Sequence, residues 1–308
     1  DNIAIGTSAM GGAINGAIRA IAIGKEALDG VITTATNGVI AIGYQSGKAI
    51  TGGNGTVAIG YQALTANTIG IFNTAIGYQA LVSNVEGSTN TAVGYLALTT
   101  FEADAQDHGE NTAVGSKAGT AVSTGTGNTL IGKDSGLALT TGDNNTALGT
   151  MALSADTDGT DNVAIGWKAG RNVHGAQKNV MIGYQAMANI DNNPGDGVAN
   201  CVAIGYQAFL GSDNNTTGTT TDANGTVAIG YQTLKALTTG QYNTAIGFEA
   251  GLVLTELDKN TLIGYQVGKA LSGSAGNGNQ TFIGYKAGVA VTSGDANTYI
   301  GSRAAELA

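Results

Sequence analysis

The chain has 308 residues, of which 50 are glycine and one is proline; 42% are apolar, 11% are charged, and the net charge is −9. That apolar content excludes disorder, the single proline and the lack of a triplet period exclude collagen, and the charged fraction is less than half that of an ordinary soluble protein. Thirteen basic residues without a cluster give no electrostatic footprint for nucleic acid and no attraction to an anionic membrane surface, and no apolar run approaches the roughly 18 residues of a membrane span.

The first element, Asp1 to Gly6, reads DNIAIG, and the same short motif, an apolar pair followed by glycine, recurs to the end of the chain. Its glycine falls at 6, 24, 43, 60, 77, 94, 115, 132, 149, 166, 183, 205, 230, 247, 264, 284 and 301, which is 17 copies. The smallest spacing is 17 residues, and every departure from it is longer. Self-similarity at a fixed period is the signature of a stacked repeat, so the chain is expected to be all-β: a parallel β-solenoid of about 17 coils forming a single repetitive domain over 1–308. At about 4.8 Å per coil the stack would be roughly 80 Å long. The chain opens directly on the repeat and breaks off within one, which reads as a piece of a longer fibre.

Within each copy the residue before the glycine is Ile, Val or Leu, and two residues earlier stands Val, Ile or Thr. β-Branched residues spaced by two occupy one face of a strand, with a small residue, mostly alanine, on the other. The bulky face is expected to point inward, with Ile59, Ile76, Ile165, Ile204, Ile229 and Ile246 as the core and register held by that column. The small face, with Ala4, Ala58, Ala113 and Ala203, is then expected to be the flat contact surface of a self-associating assembly.

Asparagine opens eleven copies, among them Asn73, Asn90, Asn111, Asn128 and Asn145, and stacked asparagines can bond along their column. Cys201, the single cysteine, takes the same position and is expected to be a buried ladder residue. The residue after the glycine is aromatic in eleven copies, which reads as a stacking column or, less directly, as a sugar-binding stripe.

The longer insertions, in chain order, are Thr99–Glu110, Asn189–Asn200, Leu210–Gly225 and Leu271–Gln280. Loops thrown out from a rigid scaffold make contacts, so Asp104, Asp107, Asn192, Asn193, Asp213 and Asn214 are the candidate receptor-contact residues. Oxygen-rich runs make Asp156, Asp158, Asp191 and Asp196 weak Ca²⁺ candidates, although neither the bidentate glutamate of an EF-hand nor a calcium-binding nonapeptide is present, and solvated turns account for them. No metal and no cofactor is expected. His108 and His174 lie in loops far apart in sequence, and no nucleophile with a neighbouring base is visible, so the chain is read as not being an enzyme.

The VAIG and TAIG cores preceded by Asn, Ser or Thr, as in NTAIGYQAL at Asn73, resemble the head repeats of trimeric autotransporter adhesins, the YadA-like family, and related repeats of phage tail fibres. The resemblance implies a left-handed parallel β-roll, a homotrimer along its axis, and an extracellular, cell-surface or virion fibre that attaches to a host surface protein or glycan. Coils of 17 or more residues are longer than is usual for that family, and the GYQAL half departs from its serine-rich heads. Alternatives are a structural spacer without a receptor, a hexapeptide-type acyltransferase, whose apolar residue would recur every six positions, and an ice-binding solenoid. The last conflicts with the expected inward face, since Thr74, Thr91, Thr112, Thr129 and Thr146 share a face with the isoleucines.

Overall fold

A computed structural model of the chain describes residues 1–12, 19–32, 37–102, 108–190, 197–211, 223–273 and 278–306. The chain is an all-β parallel solenoid, and among the described residues there is no α-helix. It divides into two compact units, Asp1–Thr150 and Met151–Ala308. The first carries β1 (Ile3–Ile5), β2 (Ile21–Ile23), β3 (Ile40–Ile42), β4 (Val57–Ile59), β5 (Thr74–Ile76), β6 (Thr91–Val93), β7 (Thr112–Val114), β8 (Thr129–Ile131) and β9 (Thr146–Leu148). The second carries β10 (Val163–Ile165), β11 (Val180–Ile182), β12 (Val202–Ile204), β13 (Val227–Ile229), β14 (Thr244–Ile246), β15 (Thr261–Ile263), β16 (Thr281–Ile283) and β17 (Thr298–Ile300).

Within each unit successive strands pair in parallel with no slip. Val57, Ala58 and Ile59 oppose Thr74, Ala75 and Ile76, and Val180, Met181 and Ile182 oppose Val202, Ala203 and Ile204. Three residues are too few for a free strand, so the ladder exists only as a stack, with bonds such as Gly77 N–H to Ile59 O at 2.8 Å running from coil to coil.

The side of the strand that faces the core is the reverse of the sequence expectation. The strand centres are buried, with Ala58, Ala113 and Ala203 wholly inaccessible, while Ile59, Ile165, Ile204 and Ile229 are half-buried and Ile76 and Ile246 are exposed. The reason lies in the opposite wall of the coil. After the glycine, the segment Tyr61–Leu64 turns the chain back, and Ala63 and Leu64 enter the interior beside Ala58. A coil of 17 residues is narrow, and a leucine entering from one wall leaves room only for alanine on the other. The alanine column therefore cannot be a contact surface between chains; only Ala4, in β1, is exposed.

The exceptions follow the same volume rule. Where the leucine position is glycine, a large side chain nearby fills the space: a Cβ on Gly119 or on Gly136 would lie 2.8 Å from a Leu130 methyl, one on Gly251 would lie 2.8 Å from a Leu262 methyl, and one on Gly47 would lie 2.8 Å from the Ile50 Cδ1 methyl. Small residues at one core position are thus matched by large ones beside them.

The turn itself is strained and repetitive. Gln62 and Leu64 both have φ of 53°, and the same two positions are left-handed in nearly every described coil. Each such residue costs about 1–2 kcal/mol. The alternation of hand aims successive amides at opposite neighbours. Gln62 N–H donates to Tyr44 O of the preceding coil at 2.8 Å, and Leu64 N–H to Ala80 O of the following coil at 3.0 Å. Those bonds, with the burial of Leu64, offset the strain.

The asparagine column stacks as expected. Asn90 N–H and its Nδ2 donate to Asn73 Oδ1 at 2.9 and 3.1 Å, and Asn128 does the same to Asn111 at 3.0 and 3.1 Å. Cys201 sits in this column, buried, with its N–H donating to Asn179 Oδ1 at 2.9 Å.

Candidate functional site

Turning the strand over gives each unit an outward face of unusual regularity. Along one coil the residues at Thr74, Ile76 and Tyr78 lie on that face, two positions apart, while Ala75 points in. Repeated over β1–β9, and again over β10–β17, this yields an outward apolar column of Ile, Val and Leu next to a column of Val, Ile or Thr. The apolar column is open to solvent in part throughout; between the terminal strands it reaches 37% exposure at Ile76 and Ile246 and 43% at Leu148.

The aromatic residues form a third column beside it. Tyr44, Tyr61, Tyr78 and Tyr95 stack with centroids 5.0–5.6 Å apart. In the second unit Trp167, Tyr184, Tyr206, Tyr231, Phe248, Tyr265 and Tyr285 stack at 4.6–5.4 Å. The rings cover one another's faces and show their edges to solvent, so inside the column no face is open to a sugar.

A fourth column was not foreseen from the sequence. Where glutamine follows the tyrosine in successive coils, it donates to its counterpart one coil back: Gln62 to Gln45 and Gln79 to Gln62, each at 2.9 Å, and likewise Gln207 to Gln185 and Gln232 to Gln207. Two such runs end on a carboxylate. Gln45 and Lys48 donate to Glu26 at 2.8 and 2.7 Å, and Gln266 and Lys269 donate to Glu249 at 2.9 and 2.7 Å. The Lys48 hydrogen bond, followed by that of Gln45, holds the Glu26 carboxyl down at about 2, and Lys269 with Gln266 lowers that of Glu249. The recurrence of Tyr-Gln after the glycine is the signal that could have revealed this column.

The remaining candidates do not gather into one site. Asp104, Asp107, Asp191, Asn192, Asn193, Asp196, Asp213 and Asn214 lie outside the described residues. Asp156 and Asp158 part company: Asp156 is buried in the core, its Oδ1 accepting from Gly159 and Gly175 N–H at 3.0 and 3.1 Å, whereas Asp158 is exposed. Burial pushes the Asp156 carboxyl up to about 7. Among the described residues no three His, Cys, Asp or Glu are grouped to hold a metal ion.

Comparison of the chain with protein-family models, with curated proteins and with solved structures returns no match.

Proposed function

We propose that the chain is a structural segment of an extracellular or virion fibre that packs laterally against copies of itself, as a homotrimer in a left-handed roll, and holds its insertions toward a host surface protein or glycan. The observation that carries the reading is the outward column of Ile, Val and Leu, one per coil. Soluble proteins seldom leave so continuous an apolar strip uncovered. A partner that covers it evenly must match its step coil after coil, and a second copy of the same repeat has that step. The face that associates is thus the isoleucine face rather than the alanine face. The mechanism is mechanical and multivalent: each insertion is presented once per chain, so weak contacts gain avidity. Neither catalysis nor nucleic acid enters it.

Native mass by light scattering tests this. A mass near three times 30.5 kDa is expected; a monomer at working concentrations overturns the lateral packing. Adhesion of the purified assembly to host cells, compared with a variant lacking the insertions, separates a binding fibre from a plain spacer.

The turned-over strand favours one second reading. The threonines at Thr74, Thr91, Thr112, Thr129 and Thr146 face outward beside the isoleucines, in register and one coil apart, which is a flat array that can order water. A monomeric chain with measurable thermal hysteresis would make it an ice-binding solenoid.

A further inference from the structure

The aromatic column of the first unit stops before the unit does. Tyr44, Tyr61, Tyr78 and Tyr95 follow one another, but the next three coils carry Ser116, Lys133 and Thr150 at that position. One face of the Tyr95 ring rests on Tyr78 at 5.6 Å, and the other looks toward a serine too small to cover it. Tyr95 is correspondingly the most exposed ring of either stack, at 49%, and it is tilted 27° from its neighbour, where the rings in the middle of the second stack lie within 7–10°. Each ring in the column takes up about one coil step, about 4.8 Å, so the space over Ser116 can take at least one more ring.

The residues beyond the open ring face are polar. Ser116 lies one coil on, Lys117 follows it and is exposed, and Lys133, a further coil on, is exposed with its amine 3.7 Å from Asp134. Two exposed lysines in successive coils stand out in a chain of net charge −9 with 13 basic residues. A free tyrosine face attracts the weakly positive C–H face of a pyranose, whose thickness suits one coil step, and a carboxylate on that sugar would meet the lysines.

We propose that the open end of the ring column, at Tyr95, Ser116 and Lys133, is a binding site for an acidic sugar, a uronic or sialic acid residue, which stacks on Tyr95 as the next rung. The inference rests on the reading of the chain as a glycan- or surface-binding fibre and gives that reading a ligand class.

The test uses the full chain and three probes: glucuronic acid oligosaccharide, the matching neutral glucose oligosaccharide and benzoate, followed by chemical shifts of the Tyr95 ring. The acidic oligosaccharide is expected to shift Tyr95, with the neutral one at least tenfold weaker. Tyr95→Ala should weaken it by about tenfold, the scale of losing one stacking contact. Ser116→Tyr covers the Tyr95 face with a ring of the chain's own and should abolish binding while leaving the fold intact. No shift with the acidic sugar, equal binding of the neutral sugar, preference for benzoate, or binding that survives Ser116→Tyr would each overturn the proposal. Native mass, measured on the same samples, is independent of sugar binding. A trimer without sugar binding removes this site alone, whereas a monomer removes the lateral packing.

Discussion

Asp156 offers a perturbation whose size can be worked out in advance. It occupies a core column that is apolar in most coils and holds Asn67 and Asn84 in two others. Those asparagines donate Nδ2 to the carbonyls of Gly70 and Gly87, three residues on, at 2.9 Å. Asp156 has no such donor when ionised, and its buried Oδ2 has no partner. Its carboxyl moves from an ordinary 3.8 up to about 7, chiefly by desolvation, with the Gly159 and Gly175 N–H groups opposing. A raised carboxyl means that the folded chain binds the proton more tightly than the unfolded one. The stabilisation it gives is complete below about pH 4 and is lost as pH rises toward 7. Three pK units at 1.36 kcal/mol each make that loss about 4 kcal/mol. Asp156→Asn should therefore match the wild type at pH 4 and exceed it by up to about 4 kcal/mol at pH 8. Urea unfolding of both proteins at pH 4, 6 and 8 reads the difference, in which the titration of all other groups cancels. Amide exchange at Gly159 and Gly175 reports whether the change is local. A difference between the two proteins that stays constant with pH would refute the reasoning.

Three further outcomes are expected. Ala203→Asp places a charge in the core and should cost several kcal/mol, whereas Ile204→Asp, one residue on, should shift the melting of the isolated chain by about 1 kcal/mol or less while lowering its native mass; equal losses of stability would mean that neither face is outside. Gly77→Ala meets both a φ of 138° and the carbonyl of Gly94 in the next coil, while at Gly38, with φ of 68°, an added Cβ has nothing within 4 Å; the first should destabilise by at least about 3 kcal/mol and the second by about 1 kcal/mol by thermal melting. Cys201 is buried with its thiol pushed up to about 11, so a thiol reagent at pH 8 should label it only after denaturation.

The number of strands, the minimal coil length, the register and the asparagine and tyrosine columns were all legible as periodicity, because a stack writes each contact into the chain once per turn. The direction of the strand was not. Alternation in Val57-Ala58-Ile59 distinguishes two faces but does not say which is inside, and the usual rule that the bulky face is buried fails in a coil this narrow. The deciding residue, Leu64, lies across the coil, and its inward course depends on two left-handed residues, Gln62 and Leu64, that no propensity suggests. The end of the ring column at Ser116 was equally visible in the sequence, but it gained meaning only once the rings before it were known to touch.

Register survives where the coils are longest. Thr91 still opposes Thr112 across a spacing of 21 residues, Val180 opposes Val202 across 22, Val202 opposes Val227 across 25, and Thr261 opposes Thr281 across 20. The coil thus works as a gauge that sets the step and is indifferent to how much chain is paid out between marks. What leaves the coil can change in length and composition without a matching change in what stays within it. Foreign peptides spliced at these points should inherit the spacing of the stack, which makes the solenoid a ruler on which displayed segments sit at whole multiples of one coil step within each unit.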